Sequence, residues 1–381
     1  MINVNNDENV FSSLNTKQVK GLAIVLMFIH HLWAFPDRIP GGNLKYIFYF
    51  SYSSLGLFGK ICVSIFFFLG GYGIYLQSTK KDFTILKNIK KLYVSYWKVF
   101  LIFIPIALLF FNNQINYCDS SNIYARFSNY SWNSVLENFL GFSNSLNGEW
   151  WFFKSYLIAI ITFPLAKKII EKNSIHKNIF YIVIFDILIT TIFPQIGKIE
   201  GFGSLNKSYL YNNLFCQSAP FAACFYMGIL FAKENLIIKL RDLVKKNYKI
   251  NFITDIIIMF FIMYLRTYIT GAELDILFVP LIIIVFIDLI SYLHIISKLF
   301  ESIGKHSTNM WLIHSFYCYY FYPVVKIVIK LKWAIPCLIV LIVLTYISSY
   351  FVNVFWKYVV KLYTKIHDLI LNLTNKCLKQ M

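Results

Sequence analysis

The chain has 381 residues, 58% of them hydrophobic and 19% aromatic, with 14% charged and a formal net charge of +18. A soluble domain has too little interior to hide so much apolar surface, so lipid is the expected solvent. The positive charge lies in short segments between apolar runs, with no separate basic domain, which argues for membrane topology and against nucleic acid.

In chain order, residues 1–15 form a polar tail with no small-residue cleavage site after the first apolar run, so the first span is expected to be retained. Windows of about 19 residues place spans near 20–35, 59–77, 93–111, 149–166, 178–194, 214–232, 251–267, 274–293, 309–328 and 334–356. The expected fold is all-α, a polytopic bundle of about ten transmembrane helices. Residues 16–356 form one membrane domain, and residues 357–381 a basic tail. Lys80, Lys81, Lys87, Lys90 and Lys91 follow the second span. Lys167, Lys168, Lys172 and Lys177 follow the fourth, and Lys233, Lys239, Arg241, Lys245, Lys246 and Lys249 the sixth. Short cytoplasmic loops hold such excesses, so both termini are expected in the cytoplasm.

The first span carries Lys20 and His31, eleven residues apart. Eleven steps of about 100° make almost three turns, so both side chains share one face, roughly 16 Å apart along the axis. A cation at one boundary and a titratable base deep in the span outline a donor path, although a histidine near a span end also fits an interfacial role. His30 points about 100° away and is the weaker candidate.

After the second span, KDFTILKNIKKLYVSYW repeats Lys87, Lys90 and Lys91 at helical spacing. Clustered ammonium groups suit the phosphates of a nucleotide-bearing donor, and equally suit topogenic charge or anionic lipid. Residues 112–148 are rich in Asn and Ser and too polar to cross. They are expected as an external loop with a short amphipathic turn from Trp132 to Phe142. The fourth span opens with NGEWWFFKSYL, whose tryptophans fit an aromatic belt or a sugar-binding rim of Glu149, Trp150, Trp151 and Lys154. The ninth is entered from the inner side through SIGKHSTNMWLIHSF, which places His314 in the cytoplasmic half and adds it to the acceptor-site candidates; as a lone residue it fits helix packing better than catalysis. Asp186, Arg266 and Asp288 must face the bundle interior or a wet cavity, where pairing with one another is one option, and no role is assigned to them. Seven cysteines show no metal spacing, and Cys118 with Cys216 is the only pairing considered. No metal or permanently bound cofactor is expected.

Lys20 with His31, then SIFFFLGGYGIYL, KNIKKLYVSYW, GEWWFFKSYL and GKHSTNMWLIHSF, in that order, resemble the landmarks of the membrane acyltransferase-3 family over roughly residues 16–356. The resemblance implies an O-acyltransferase of the cell membrane, with acyl-CoA as cytoplasmic donor, acetyl the usual group, and an envelope or exopolysaccharide glycan as acceptor. It assigns the functional pair to Lys20 and His31, with His31 as general base or transient acyl carrier and Lys20, Lys87, Lys90 and Lys91 toward CoA. This chain has lysine where many relatives have arginine, and Ser95 where proline is frequent. No hydrolase domain follows the last span, so a second transfer step calls for a separate envelope partner. The Lys-, Asn- and Ile-rich composition fits an AT-rich bacterial genome. A transporter or flippase of a lipid-linked glycan also fits the topology, but no inverted repeat or matched pair of broken helices is visible.

Overall fold

A computed structural model describes residues 11–35, 38, 44–45, 52–112, 126–128, 130–208, 211–212, 219–247, 251–269 and 271–380. Cys118, Cys216 and Lys249 lie outside the described residues. Among the described residues the regular elements are helices, apart from an isolated bridge between Lys45 and Trp333. In order they are α1 (Ser13–Trp33), α2 (Tyr52–Gly59), α3 (Ile61–Ser78), α4 (Ile85–Phe110), α5 (Trp132–Phe139), α6 (Trp151–Lys172), α7 (Ile175–Ile187) and α8 (Phe193–Ile196). They continue as α9 (Ala222–Glu234), α10 (Leu236–Asn247), α11 (Phe252–Thr267), α12 (Asp275–Ser291), α13 (His294–Ser315), α14 (Tyr322–Ile329) and α15 (Ala334–Gln380).

Each expected span coincides with at least one helix, but among the described residues fewer than ten helices qualify by length and composition to cross a membrane. Four do, Ser54–Ser78, Ile85–Phe110, Ile175–Ile196 and Ala334–Asp368, and six if each of two bent pairs is one span. Polar side chains explain part of the shortfall: α1 carries Lys17, Gln18, Lys20, His30 and His31 along its length. The bent pairs are broken helices that the apolar windows did not reveal. Ala219–Glu234 turns 71° into Leu236–Lys246 at Asn235, whose backbone is left-handed with φ 54°. The expected span at 309–328 turns by 91° after a π-helical turn, Phe316–Tyr320, where Pro323 starts α14. A proline has no N–H to extend the preceding helix, so the chain restarts in a new direction.

α1 begins earlier than its apolar window because Ser12 and Asn15 form a reciprocal cap on its first turn. The extra turns bring Lys17 and Gln18 against α13, where Gln18 donates to Ser297 at 2.7 Å. The two helices touch backbone to backbone: a Cβ on Gly21 would strike the Phe300 carbonyl, and one on Gly304 the Lys17 carbonyl. Gly71 and Gly228 do the same between α3 and α9. In lipid, such close approach replaces the hydrophobic drive that water supplies elsewhere.

Among the described residues of the segment expected as an external loop, those around Asn138 and Asn147 are tucked into the bundle. The Tyr96 hydroxyl donates to the Asn138 carbonyl at 2.6 Å and the Trp97 indole to the Phe139 carbonyl at 2.9 Å. Farther along, Asn147 donates to Ser315 at 2.8 Å and Gly148 N–H to the Tyr320 hydroxyl at 3.0 Å. The buried Asn138 and Asn147 thus serve interior partners, since a buried polar group must be hydrogen-bonded.

The three interior ionisable residues do not pair with one another. Arg266 is buried against Asp275 at 2.7 Å, and Ser64 also donates to Asp275. Asp288 takes Arg241 at 2.6 Å and Lys245 at 2.8 Å. Asp186 is buried with one carboxylate oxygen unpartnered. Arg266 and Asp288 found their partners through packing that helical spacing does not encode.

Candidate active site

The last turns of α1 and α13 bring two imidazoles together. His31 and His314 are both buried, with ring centroids 4.6 Å apart, and Phe28 stacks on the second ring at 5.9 Å. A helix repeats its face every three to four residues, so Phe28 and His31 project toward α13 together. His314 therefore sits at the depth of His31, not in the opposite half of the bundle as the span boundaries suggested.

Hydrogen bonds assign the protons on both rings. The Tyr319 hydroxyl donates to the backbone carbonyl of His31 at 2.9 Å, and the same oxygen lies 2.9 Å from His31 Nδ1. A hydroxyl has one proton to give, so Nδ1 is the donor in the second contact. In this tautomer Nε2 keeps its lone pair and faces Glu149 Oε2 at 3.6 Å. That separation is too long for a hydrogen bond, and it leaves Nε2 free to accept the single proton of a substrate hydroxyl. On His314, Nδ1 donates to the Trp311 carbonyl at 2.5 Å, and Nε2 is buried without a partner. Two imidazoles side by side thus each present an unprotonated nitrogen.

Glu149 reaches this place on the tucked segment. A short turn, Gly148–Trp150, leads into α6 and is pinned by Asn147 and by the Trp150 indole, which donates to the Leu312 carbonyl at 3.0 Å. His31, His314, Glu149 and Trp151 line a cavity of about 590 Å³, together with His30, Lys60 and others. His30 holds the Gly56 carbonyl at 2.8 Å and so contributes one ring face to the wall. Trp150 and Lys154 do not line this cavity. The Trp150 indole is buried between Tyr96, Phe100 and Phe316, and Lys154 stands half-buried elsewhere on α6.

Toward the start of α1 lies a second cavity of about 300 Å³, lined by Lys20, Lys91, Asn88, Ser307 and Thr308 among others. Lys20 and Lys91 make no ion pair among the described residues. Lys87 does not join them: its ammonium reaches back to Asp82, at 2.8 Å from the carbonyl and 3.4 Å from the carboxylate. That hydrogen bond holds the Asp82 carboxyl below the usual carboxylate range. Lys90 is exposed and lines neither cavity. Of four lysines considered together, the fold gathers two.

Tyr319 and Phe152 were absent from the sequence-derived site. Tyr319 stands in an aromatic run, FYCYYF, where helical spacing alone cannot single out one hydroxyl. No group of three or more His, Cys, Asp or Glu suited to a metal ion occurs among the described residues.

Residues 17–354 match the family model Acyl_transf_3, described as an acyltransferase domain. No curated protein and no solved structure matches the chain.

Proposed function

Because the chain belongs to the acyltransferase-3 family, and is therefore a membrane acyltransferase, we propose that it is an O-acetyltransferase of an envelope glycan, with acetyl-CoA as donor. The observation that carries this reading is the fixed lone pair of His31 Nε2, facing Glu149 in the larger cavity. Lys20 and Lys91 lie at the other end of the same helix bundle, where two ammonium groups without an ion pair among the described residues suit the phosphates of CoA.

In the proposed reaction a glycan hydroxyl lies beside His31 and donates to its Nε2, with the Glu149 carboxylate close by. His31 Nε2 takes the hydroxyl proton as the oxygen attacks the thioester carbon, and Glu149 stabilises the imidazolium that forms. That attack forms the C–O bond and a tetrahedral oxyanion; its collapse re-forms the ester carbonyl and breaks the C–S bond, and the proton passes from His31 to the thiolate, releasing free CoA thiol. Tyr319 keeps the reactive tautomer throughout, since Nδ1–H stays on its oxygen. His314 stands beside the ring with a second unprotonated nitrogen, which suits a hydrogen bond to a neighbouring acceptor hydroxyl.

The test is transfer of radiolabelled acetyl from acetyl-CoA into envelope glycan by membranes holding the intact protein or His31→Ala at equal abundance. Label that depends on intact His31 is expected. Equal labelling by the variant would remove His31 from the mechanism, and no label with either protein would remove acetyl-CoA as the donor. A burst of label on the protein itself would move His31 from base to transient acyl carrier.

A further inference from the structure

The two cavities are separate volumes that share three lining side chains, Phe66 on α3, Phe152 on α6 and Trp311 on α13. Phe152 meets Trp311 edge to face with centroids 5.0 Å apart, and Phe66 meets Phe152 at 6.2 Å. Phe152 and Trp311 are both buried. These rings form a septum between the lysine side and the histidine side. It is tied to the reacting end, because the Trp311 carbonyl holds His314 and Phe152 follows Trp151 of the larger cavity.

The lysine-side cavity is shaped for a slender chain. Gly70 and Gly73 of the SIFFFLGGYGIYL run line it, and a Cβ on Gly73 would meet nothing within 4 Å. Leu69, Leu92 and Ile160 complete an apolar wall beside the two ammonium groups. An anionic head with a flexible arm fits this volume, and its far end is closed by aromatic rings in mutual contact.

We propose that Phe66, Phe152 and Trp311 are an acyl-length filter, a constriction that the acyl end of the donor must part to reach His31. The inference rests on the acyl-transfer reading above. A two-carbon group places little beyond its carbonyl between the rings, whereas each further methylene must displace aromatic surface already packed. One methylene in a tight apolar site changes selectivity by about 10- to 200-fold.

The experiment measures transfer from radiolabelled acetyl-CoA and butanoyl-CoA by membranes containing the intact protein, Trp311→Ala, Trp311→Phe or Phe152→Leu. Because the readout is a ratio within each preparation, it is independent of how much variant accumulates. The intact protein is expected to favour acetyl. Trp311→Ala should raise the butanoyl-to-acetyl ratio of kcat/KM by at least about tenfold, with Trp311→Phe and Phe152→Leu in between. Equal use of both donors by the intact protein, or an unchanged ratio in Trp311→Phe and Phe152→Leu, overturns the filter while leaving acyl transfer intact. No transfer by the intact protein from either donor overturns the acyl-transfer reading, and the filter with it.

Discussion

The two ends of α1 hold ionisable groups in opposite ways. At the His31 end the rings are buried, and a tyrosine hydroxyl or a carbonyl assigns each proton. At the Lys20 end the ammonium groups of Lys20 and Lys91 line a cavity and make no ion pair among the described residues. A base must present its lone pair at one angle, and only a packed, hydrogen-bonded site fixes an angle. A cation holding a phosphate works at range as a point charge, so a loosely held lysine suffices. Chemistry is expected at the rigid end and grip at the loose one.

The largest effect expected is at the rigid end. His31→Ala should lower acyl transfer by about 10²- to 10⁴-fold while the protein still accumulates in the membrane, read as label per unit of protein. A loss below tenfold would erase the distinction between the ends.

The bracket that supports the larger cavity is the next test. Arg266 holds Asp275 and also donates to the Ile269 and Gly271 carbonyls, so it fixes the turn whose Gly271, Ala272 and Glu273 line the cavity. Arg266→Met leaves Asp275 buried without its cation, a change that typically destabilises by about 3–5 kcal/mol. Thermal unfolding in detergent should show it, and Arg266→Met with Asp275→Leu should recover much of the loss. Failure of the double variant to recover would mean that the carbonyl contacts carry the bracket.

Tyr319→Phe sharpens the comparison within the site. It keeps the ring and removes the oxygen that holds His31 Nδ1, so the imidazole is free to adopt the wrong tautomer. A fall in kcat of at least about tenfold is expected with KM for donor unchanged, and equal kcat would deny the tyrosine a positioning role.

At the loose end effects should be smaller and of another kind. Lys20→Ala and Lys91→Ala should each raise KM for acyl-CoA about fivefold, from roughly 1 kcal/mol per charge, with kcat nearly unchanged. Lys87→Ala and Lys90→Ala should change KM less than about twofold, the signature of residues outside the cavity. If all four lysines behaved alike, a diffuse surface charge would replace the binding site.

Much of this was readable in residue order. Apolar runs announced a helical membrane protein, and the spacing of Lys20 and His31 placed them on one face, because helical geometry is local. The landmark order pointed to the acyltransferase-3 family, to which the chain belongs. Trp150 shows the limit: a tryptophan that suits a sugar-binding rim by sequence lies buried, its indole on the Leu312 carbonyl. The bend after Tyr320 was written in Pro323, but an apolar window averages over a break of a few residues.

Sequence by itself determined the solvent of this protein, its helices and the shared face of Lys20 and His31, since each depends on composition or on neighbours within a few turns. Only the tertiary structure decided that Glu149, His314 and Tyr319 converge on His31, that two lysines of four line a cavity, and that three aromatic rings line both cavities. The contact between His31 and Tyr319 joins residues 288 apart. Periodicity states which face a helix turns inward; which side chain waits there depends on close backbone crossings and on buried polar groups finding partners far along the chain.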